Sequence, residues 1–195
     1  MQKRYFFYRK NRGRCEGSLF YLTNFHLSDI CVSAKNATDP PTFTYKSVEH
    51  YFQFCKLLYL KQYQLADQVK NASSADKAKK LAWTYKMTLD EQKGWDFRTK
   101  HRVMFDGLKH KFDQHPRLAK KLMETHPAIL IEDSGSDYWG IGKPEEKGFN
   151  LMGKMLMIIR DALLSKEIKK FGHLNGYFYG QSIINLLNEK YSFNF

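Results

Sequence analysis

The stretch SVEHYFQFCKLLYL, residues 47–60, carries the strongest signal of both fold and function in the sequence. Ser47 is a favourable helix N-cap, and Glu49 lies near the positive end of the helix dipole, so the pattern predicts a helix over these residues. Nearly every other position is apolar or aromatic, which is typical of a buried helix. We therefore expect this helix to lie inside the domain.

Three polar side chains interrupt the apolar helix at positions i, i+4 and i+7, namely Glu49, Gln53 and Lys56. This spacing places a carboxylate, an amide and an amine on one helical face. Burying such groups without partners is costly, so the face should border a pocket or a polar network. A buried ion pair between helices would explain the same pattern, but perturbed carboxylates and lysines concentrate at functional sites, which favours a site.

Composition sets the class of protein. The chain has 195 residues, of which 43% are hydrophobic and 15% aromatic, enough to form one domain with a substantial core. Intrinsic disorder and small disulfide-dependent folds are thereby excluded. Lys and Arg number 32 against 20 Asp and Glu, a net charge of +12 that favours partners carrying phosphate. A solvated basic surface without a specific partner would give the same number.

The cysteines and histidines indicate neither disulfides nor a metal. Cys15, Cys31 and Cys55 are odd in number and lack a C-x-x-C spacing, which suits a reducing, cytoplasmic location. The seven histidines show no metal-binding motif, and we expect no metal and no cofactor. No stretch approaches the roughly 20 apolar residues of a membrane span. We also find no signal peptide, and therefore expect no membrane partner.

Periodicity and capping signals predict an α+β fold: a single compact, mainly helical domain with a small β-sheet. Trp83 is expected in the core. Strands are predicted over 4–8, 18–22, 29–33 and the AILIE segment at 128–132. Helices are predicted over 47–60, from Ser73 or Ser74 through ADKAKKLAW, from the Thr88–Glu91 capping box to about Phe112, and over 116–124, 150–170 and 180–190.

Two further segments carry chemically useful residues. On the predicted long helix, Trp95, Arg98 and Arg102 share a face, where an indole could stack on a base while the guanidinium groups bind phosphate. Taken alone, a core tryptophan with surface arginines explains them better. The segment 132–142, EDSGSDYWGIG, combines three carboxylates with an aromatic pair and glycines, which permit close approach to a ligand. It matches no standard nucleotide-binding motif, and a plain turn-rich loop is the alternative.

Several short segments carry motifs whose order and spacing agree with one another: Leu22–Phe25, Ser47–Gln53 with Lys56, Trp95-Asp96 with Arg98, Val103-Met104, Lys111-Phe112, Asp137–Gly142 and Gly148–Met157. Together they resemble the NADAR or YbiA-like family over roughly residues 4–164. Departures are mild: Thr23 replaces a usual Ser, Met152 a usual Leu and Ile158 a frequent Glu. We expect a family domain over residues 1–164 and a helical extension, packed on the same domain, over 165–195.

The resemblance implies a hydrolase acting on N-glycosyl bonds, an N-glycosidase that cleaves ribose C1′ from a nitrogen. It implies two substrate types: ADP-ribose on guanine in nucleic acid or a related ADP-ribosyl compound, and phosphorylated ribosylamino-pyrimidine intermediates of riboflavin synthesis. A non-catalytic ADP-ribose or nucleic-acid reader is a rival of another class, but a reader needs neither Glu49 nor Lys56. A purely structural protein would leave the polar face of the helix unexplained.

Residue roles follow from the chemistry of the bond. Cleavage develops positive charge on the sugar, so a carboxylate stabilises it and can activate water. Glu49 is the first candidate and Asp137 the second, whereas Lys56, as a desolvated amine, could form an imine with the opened ribose. The remaining candidates for substrate binding are Trp95 and Trp139 for stacking on the base, Arg98 and Lys111 for phosphate, and Asn24, Phe25, Gln53, Gly140, Gly142 and Asn150 as pocket residues.

The net charge also bears on the substrate. Basic runs at 77–80, 117–121 and 166–170 lie outside the motif segments and would be superfluous for a small metabolite. They favour a nucleic-acid partner bound through the basic surface. The sequence makes no prediction of oligomeric state.

Overall fold

A computed structural model of the chain describes residues 2–8, 17–32, 43–96, 99–142 and 147–170. Helices dominate these residues, and the predicted mainly helical α+β class is confirmed. The helices are α1 (Val48–Tyr59), α2 (Tyr63–Asn71), α3 (Ala75–Ala82), α4 (Leu89–Asp96), α5 (Thr99–Gln114), α6 (Pro116–Glu124) and α7 (Leu151–Lys170). The strands are β1 (Arg4–Phe7), β2 (Ile30–Val32), β3 (Phe43–Tyr45) and β4 (Ile129–Glu132).

Two short pairs of strands make up the described β-structure. Strand β1 runs parallel to β4, with Arg4 opposite Ile129 and Phe7 opposite Glu132. Strands β2 and β3 form a separate antiparallel pair. The predicted small sheet is therefore two two-stranded sheets within the described residues. Strand β4 ends at Glu132, so the segment 133–142 leaves the sheet at that point.

Local capping explains where several helices begin. The Ser47 side chain accepts a hydrogen bond from the His50 backbone N–H at the start of α1, as predicted. Ser74 caps α3 in the same way. The predicted capping box is also formed, because Thr88 and Glu91 each bond the other's backbone N–H. Helix α2 was missed by the sequence analysis, since its N-cap, Gln62, makes no side-chain cap.

Two expectations differ from the structure, and a third falls partly outside the described residues. Residues Gly17–Leu22 form a 3-10 helix and not a strand, which puts Leu19 and Leu22, three residues apart, on one buried side. Trp83 is 57% exposed and not in the core. The predicted long helix from Thr88 to Phe112 is described as α4 and α5, on either side of residues 97–98, which lie outside the described residues.

Helix α7 forms much of the core and packs on β4 and α6. Its buried Arg160 donates a hydrogen bond to the Ala128 carbonyl oxygen at 2.7 Å. The predicted boundary between residues 164 and 165 falls inside this helix. Residues 171–195, and with them the predicted helix over 180–190, lie outside the described residues. No helix in the described ranges has the length and apolar character needed to cross a bilayer.

Candidate functional site

The polar face of α1 is buried, as the sequence predicts, and its carboxylate is held by two amides. Glu49 is 3% exposed. Gln53 donates from Nε2 to Glu49 Oε1 at 2.8 Å, and Asn24 donates from Nδ2 to Glu49 Oε2. Two amide donors suit a carboxylate, because hydrogen bonds to the ionised form stabilise it. The carboxylate is thereby fixed in one orientation, as electrostatic catalysis requires.

The backbone around Asn24 is tied to the same helix. The Asn24 carbonyl oxygen accepts a hydrogen bond from the Glu49 backbone N–H at 2.9 Å, which satisfies a donor in the first turn of α1. Just upstream, the Lys111 ammonium donates to the carbonyl oxygens of Tyr21 and Thr23 at 2.6 and 2.8 Å. Lys111 therefore positions the segment that carries Asn24.

This position corrects the predicted role of Lys111 as a phosphate ligand. Its side chain is 0% exposed, and both hydrogen bonds go to backbone carbonyls. Burial lowers the pKa of the Lys111 ammonium to about 7. A side chain so enclosed has no exposed surface for a phosphate, and its contribution to the site is structural.

Lys56 is the amine of the polar face, and it is 8% exposed. Burial lowers the pKa of its ammonium, although the charges of Glu49 and Asp96 oppose that shift. Within the described residues, the Lys56 ammonium makes no hydrogen bond and no ion pair. A buried lysine with a lowered pKa holds more neutral amine at ordinary pH, which makes it a better nucleophile.

An aromatic wall borders the helix. The Trp139 ring packs edge-on against Phe52 of α1 at 5.8 Å and against Tyr138 at 5.1 Å between ring centroids. Tyr138 is hydrogen-bonded to His101, and the Lys100 ammonium lies 3.7 Å from the centre of the Tyr138 ring. Trp139 is half-buried and remains available for stacking. His101 and Lys100 carry no motif signal, so the sequence gives no indication of their place beside the aromatic wall.

The loop after β4 places the second candidate carboxylate at its outer edge. Asp137 is exposed, and its side chain lies against Gly142, whose φ of +69° favours glycine. A side chain at residue 142 would collide with the Asp137 carboxylate. Gly140 donates to the Ser136 carbonyl oxygen and accepts from the Asn150 N–H at 2.7 Å. Backbone hydrogen bonds thus hold the loop and the position of Asp137.

Glu132 is a further candidate, which the sequence pattern does not distinguish from the rest of its segment. It ends β4, is 7% exposed, and its Oε2 atom is buried without a hydrogen-bond partner among the described residues. Burial raises the pKa of its carboxyl to about 7, and the charge of Glu49 adds to this. A hydrogen bond from the Ser134 side chain and the charge of Lys79 act in the opposite direction. The signal in the sequence that could have indicated this residue is an acidic side chain, Glu132, at the end of the apolar segment AILIE.

Other predicted site residues take different positions. Trp95 is 3% exposed and packs on Phe52 and Tyr59, the position of a core tryptophan, and its stacking on a base stays a prediction. Asn150, predicted to line the pocket, instead bonds the backbone of β4 through both side-chain polar atoms. Phe25 is half-buried with the Lys79 ammonium 5.6 Å from its ring centre. Arg98 lies outside the described residues.

A separate depression of about 510 Å³ lies between residues 26–28 and the start of α6. None of the predicted site residues lines it. The described residues contain no group of three or more His, Cys, Asp or Glu side chains arranged to hold a metal ion.

The family of the chain follows from its similarity to known proteins. A model of the NADAR domain matches residues 6–164. The chain therefore belongs to the NADAR domain family, as the motifs predict.

Its relatives include two proteins of known name. The N-glycosidase YbiA of Escherichia coli (strain K12) is 36% identical over 121 residues, 62% of this chain and 71% of that protein. The chloroplastic riboflavin biosynthesis protein PYRR of Zea mays is 34% identical over 127 residues, 63% of this chain. The match spans only 20% of the length of the maize protein. The predicted enzyme class, a hydrolase of N-glycosyl bonds, is confirmed.

A solved structure shows the same fold. The NMR structure of the E. coli protein YbiA covers 91% of this chain and 94% of its own, with a TM-score of 0.62 and 28% sequence identity.

Proposed function

We propose that the chain hydrolyses the bond between ribose C1′ and a base nitrogen, and that its substrate is ADP-ribose linked to guanine in nucleic acid. The observation that carries the proposal is the buried polar face of α1. It brings together a carboxylate held by two amides and a lysine amine without a described partner. A site that only binds ADP-ribose needs no such pair.

Glu49 stabilises the positive charge that develops on the sugar as the bond breaks. Its two oxygens already have fixed donors, so little reorganisation is needed in the transition state. The same carboxylate can accept a proton from attacking water. Asp137, at the exposed loop edge, is the second candidate for the role of Glu49, and Trp139 stacks on the leaving base.

Lys56 offers a covalent route for the same reaction. Its amine attacks C1′, the C1′–N bond breaks and the base departs with a proton, and opening of the ribose ring leaves an imine on Lys56 that water later hydrolyses. Sodium borohydride added during turnover should reduce the imine and leave a ribose adduct on Lys56. Lys56→Arg should abolish the adduct, and Lys80→Arg, at an exposed position on α3, should retain it. Turnover without any adduct would favour direct attack by water.

The basic surface supports a nucleic-acid substrate. Binding of nucleic acid releases counterions from its phosphates, so its affinity falls steeply with salt. The exposed basic residues of the predicted runs within the described ranges are Lys77, Lys80, Arg117, Lys120, Lys121 and Lys166.

A second substrate is favoured by the likeness to the maize riboflavin biosynthesis protein: a phosphorylated ribosylamino-pyrimidine. The two are separated by incubating the protein with each and measuring the released products by chromatography, which are free ADP-ribose with the unmodified oligonucleotide in the first case and the free pyrimidine base in the second. Release of ADP-ribose from the ADP-ribosylated oligonucleotide, with KM rising steeply between roughly 50 and 200 mM salt, is the expected result. Release from the pyrimidine substrate alone would overturn the nucleic-acid assignment, and release from neither would overturn the proposed function.

A further inference from the structure

We propose that Glu132 is a catalytic residue of this site, the acid that protonates the departing base nitrogen. The inference rests on the proposed N-glycosidase function and assigns a role that Glu49 cannot fill. Glu132 lies at the end of β4, where the chain enters the loop that carries Asp137 and Trp139.

The surroundings of Glu132 suit an acid. One oxygen, Oε2, is enclosed and has no hydrogen-bond partner in the described part of the chain, an arrangement that costs free energy unless the atom carries a proton or meets a ligand. The charged groups that act on the carboxyl are Glu49 on α1 and Lys79 on α3. The negative charge of Glu49 favours the protonated form, as does burial.

The two carboxyl groups therefore have different environments. Glu49 accepts hydrogen bonds from two amides, which suits an ionised group, whereas Glu132 is buried with an unpaired oxygen. Pairs of carboxyl groups whose environments push them toward opposite protonation states divide the roles of acid and base in glycoside hydrolysis. The structure gives the base role to Glu49 and the acid role to Glu132.

The C1′–N bond breaks and its electron pair stays on nitrogen, which takes the proton from the Glu132 carboxyl group. Water forms the new bond to C1′ and gives a proton to Glu49. Solvent exchange then returns a proton from Glu49 to Glu132. If the Lys56 amine attacks instead of water, the leaving nitrogen requires the same proton.

The test is the pH profile of kcat/KM for Glu132→Gln on whichever substrate the unaltered protein cleaves. The unaltered protein should lose activity about tenfold per pH unit above about 7, where the acid deprotonates. Glu132→Gln should be at least about 100-fold slower and lack this falling limb, while Glu132→Asp restores part of it. Asp133→Asn, a change at the adjacent buried carboxyl, should keep the limb.

A second measurement does not depend on turnover. The raised pKa means that the folded protein holds a proton that the unfolded chain releases between pH 4.5 and about 7. The stability of Glu132→Gln relative to the unaltered protein should therefore increase across this window and level off above it. The role of Glu132 alone would be overturned if the free energy of unfolding of the two proteins changed in parallel with pH, or if kcat/KM of Glu132→Gln still fell above a pH of about 7. If the unaltered protein cleaved no substrate, the proposed function and this role would both be overturned.

Discussion

Lys111 provides a direct test of how the structure arranges charge around the site. It is fully enclosed beneath the segment that carries Asn24, with two backbone carbonyls as its acceptors. Burial lowers the pKa of its ammonium from 10.5 to about 7. Between these values the unfolded chain binds a proton that the folded protein does not, so stability rises with pH.

The expected magnitude follows from the size of this pKa shift. One pKa unit corresponds to about 1.4 kcal/mol, so the full shift is worth roughly 5 kcal/mol, accumulated from pH 7 to 10.5. Lys111→Met removes the titrating group. Urea denaturation of both proteins from pH 7.5 to 9.5 should show the free energy of unfolding of the unaltered protein gaining roughly 2.5 kcal/mol relative to the variant.

The comparison uses the change in the free energy of unfolding with pH, so it does not depend on how much Lys111→Met destabilises the fold at any one pH. Leu108→Ala is the matched control, because it removes a fully buried but uncharged side chain from the same helix. Its free energy of unfolding should be lower by roughly 2–5 kcal/mol at every pH, with the curve parallel to that of the unaltered protein. A parallel curve for Lys111→Met would refute the account of a buried ammonium at this position.

Three further substitutions test other contacts. Asn24→Ala removes a donor to Glu49, so we expect cleavage at least about tenfold slower in initial rates and a free energy of unfolding lower by roughly 1–3 kcal/mol in urea titration. Unchanged rates would argue against the need for a fixed Glu49 carboxylate. Gly153→Ala should destabilise by roughly 1–3 kcal/mol in thermal unfolding, because its Cβ would collide with the Leu130 carbonyl oxygen. Trp83→Ala should change stability by less than about 0.5 kcal/mol, and a larger loss would mean that this exposed ring is packed.

The features that the sequence predicts well have local causes. The N-caps of α1 and α3 depend on one side chain and a backbone N–H three residues away. The polar face of α1 depends only on helical periodicity, so the spacing in the sequence is enough to place Glu49, Gln53 and Lys56 on the same side of the helix. The resemblance to the family, through the order of its motifs, placed Asn24 and the loop at 137–142 among the candidate site residues.

The features that the sequence misplaced depend on tertiary packing. A lysine next to a phenylalanine, as at residues 111 and 112, gives no sign that its ammonium bonds carbonyls about 90 residues earlier in the chain. The helical face of Trp95 indicates a core ring and the family resemblance a stacking ring, and its neighbours Phe52 and Tyr59 agree with the first interpretation. The role of Glu132 depends on burial and on the charge of Glu49, neither of which a strand pattern reveals.

The central claim is that a carboxylate fixed on a buried helix drives cleavage of an N-glycosidic bond. The most direct measurement is the rate of ADP-ribose release from an ADP-ribosylated oligonucleotide by the unaltered protein, Glu49→Gln and the exposed control Glu124→Gln. The account predicts release by the unaltered protein and the control, and at least about 100-fold slower release by Glu49→Gln. Equal rates for Glu49→Gln and the unaltered protein would contradict it.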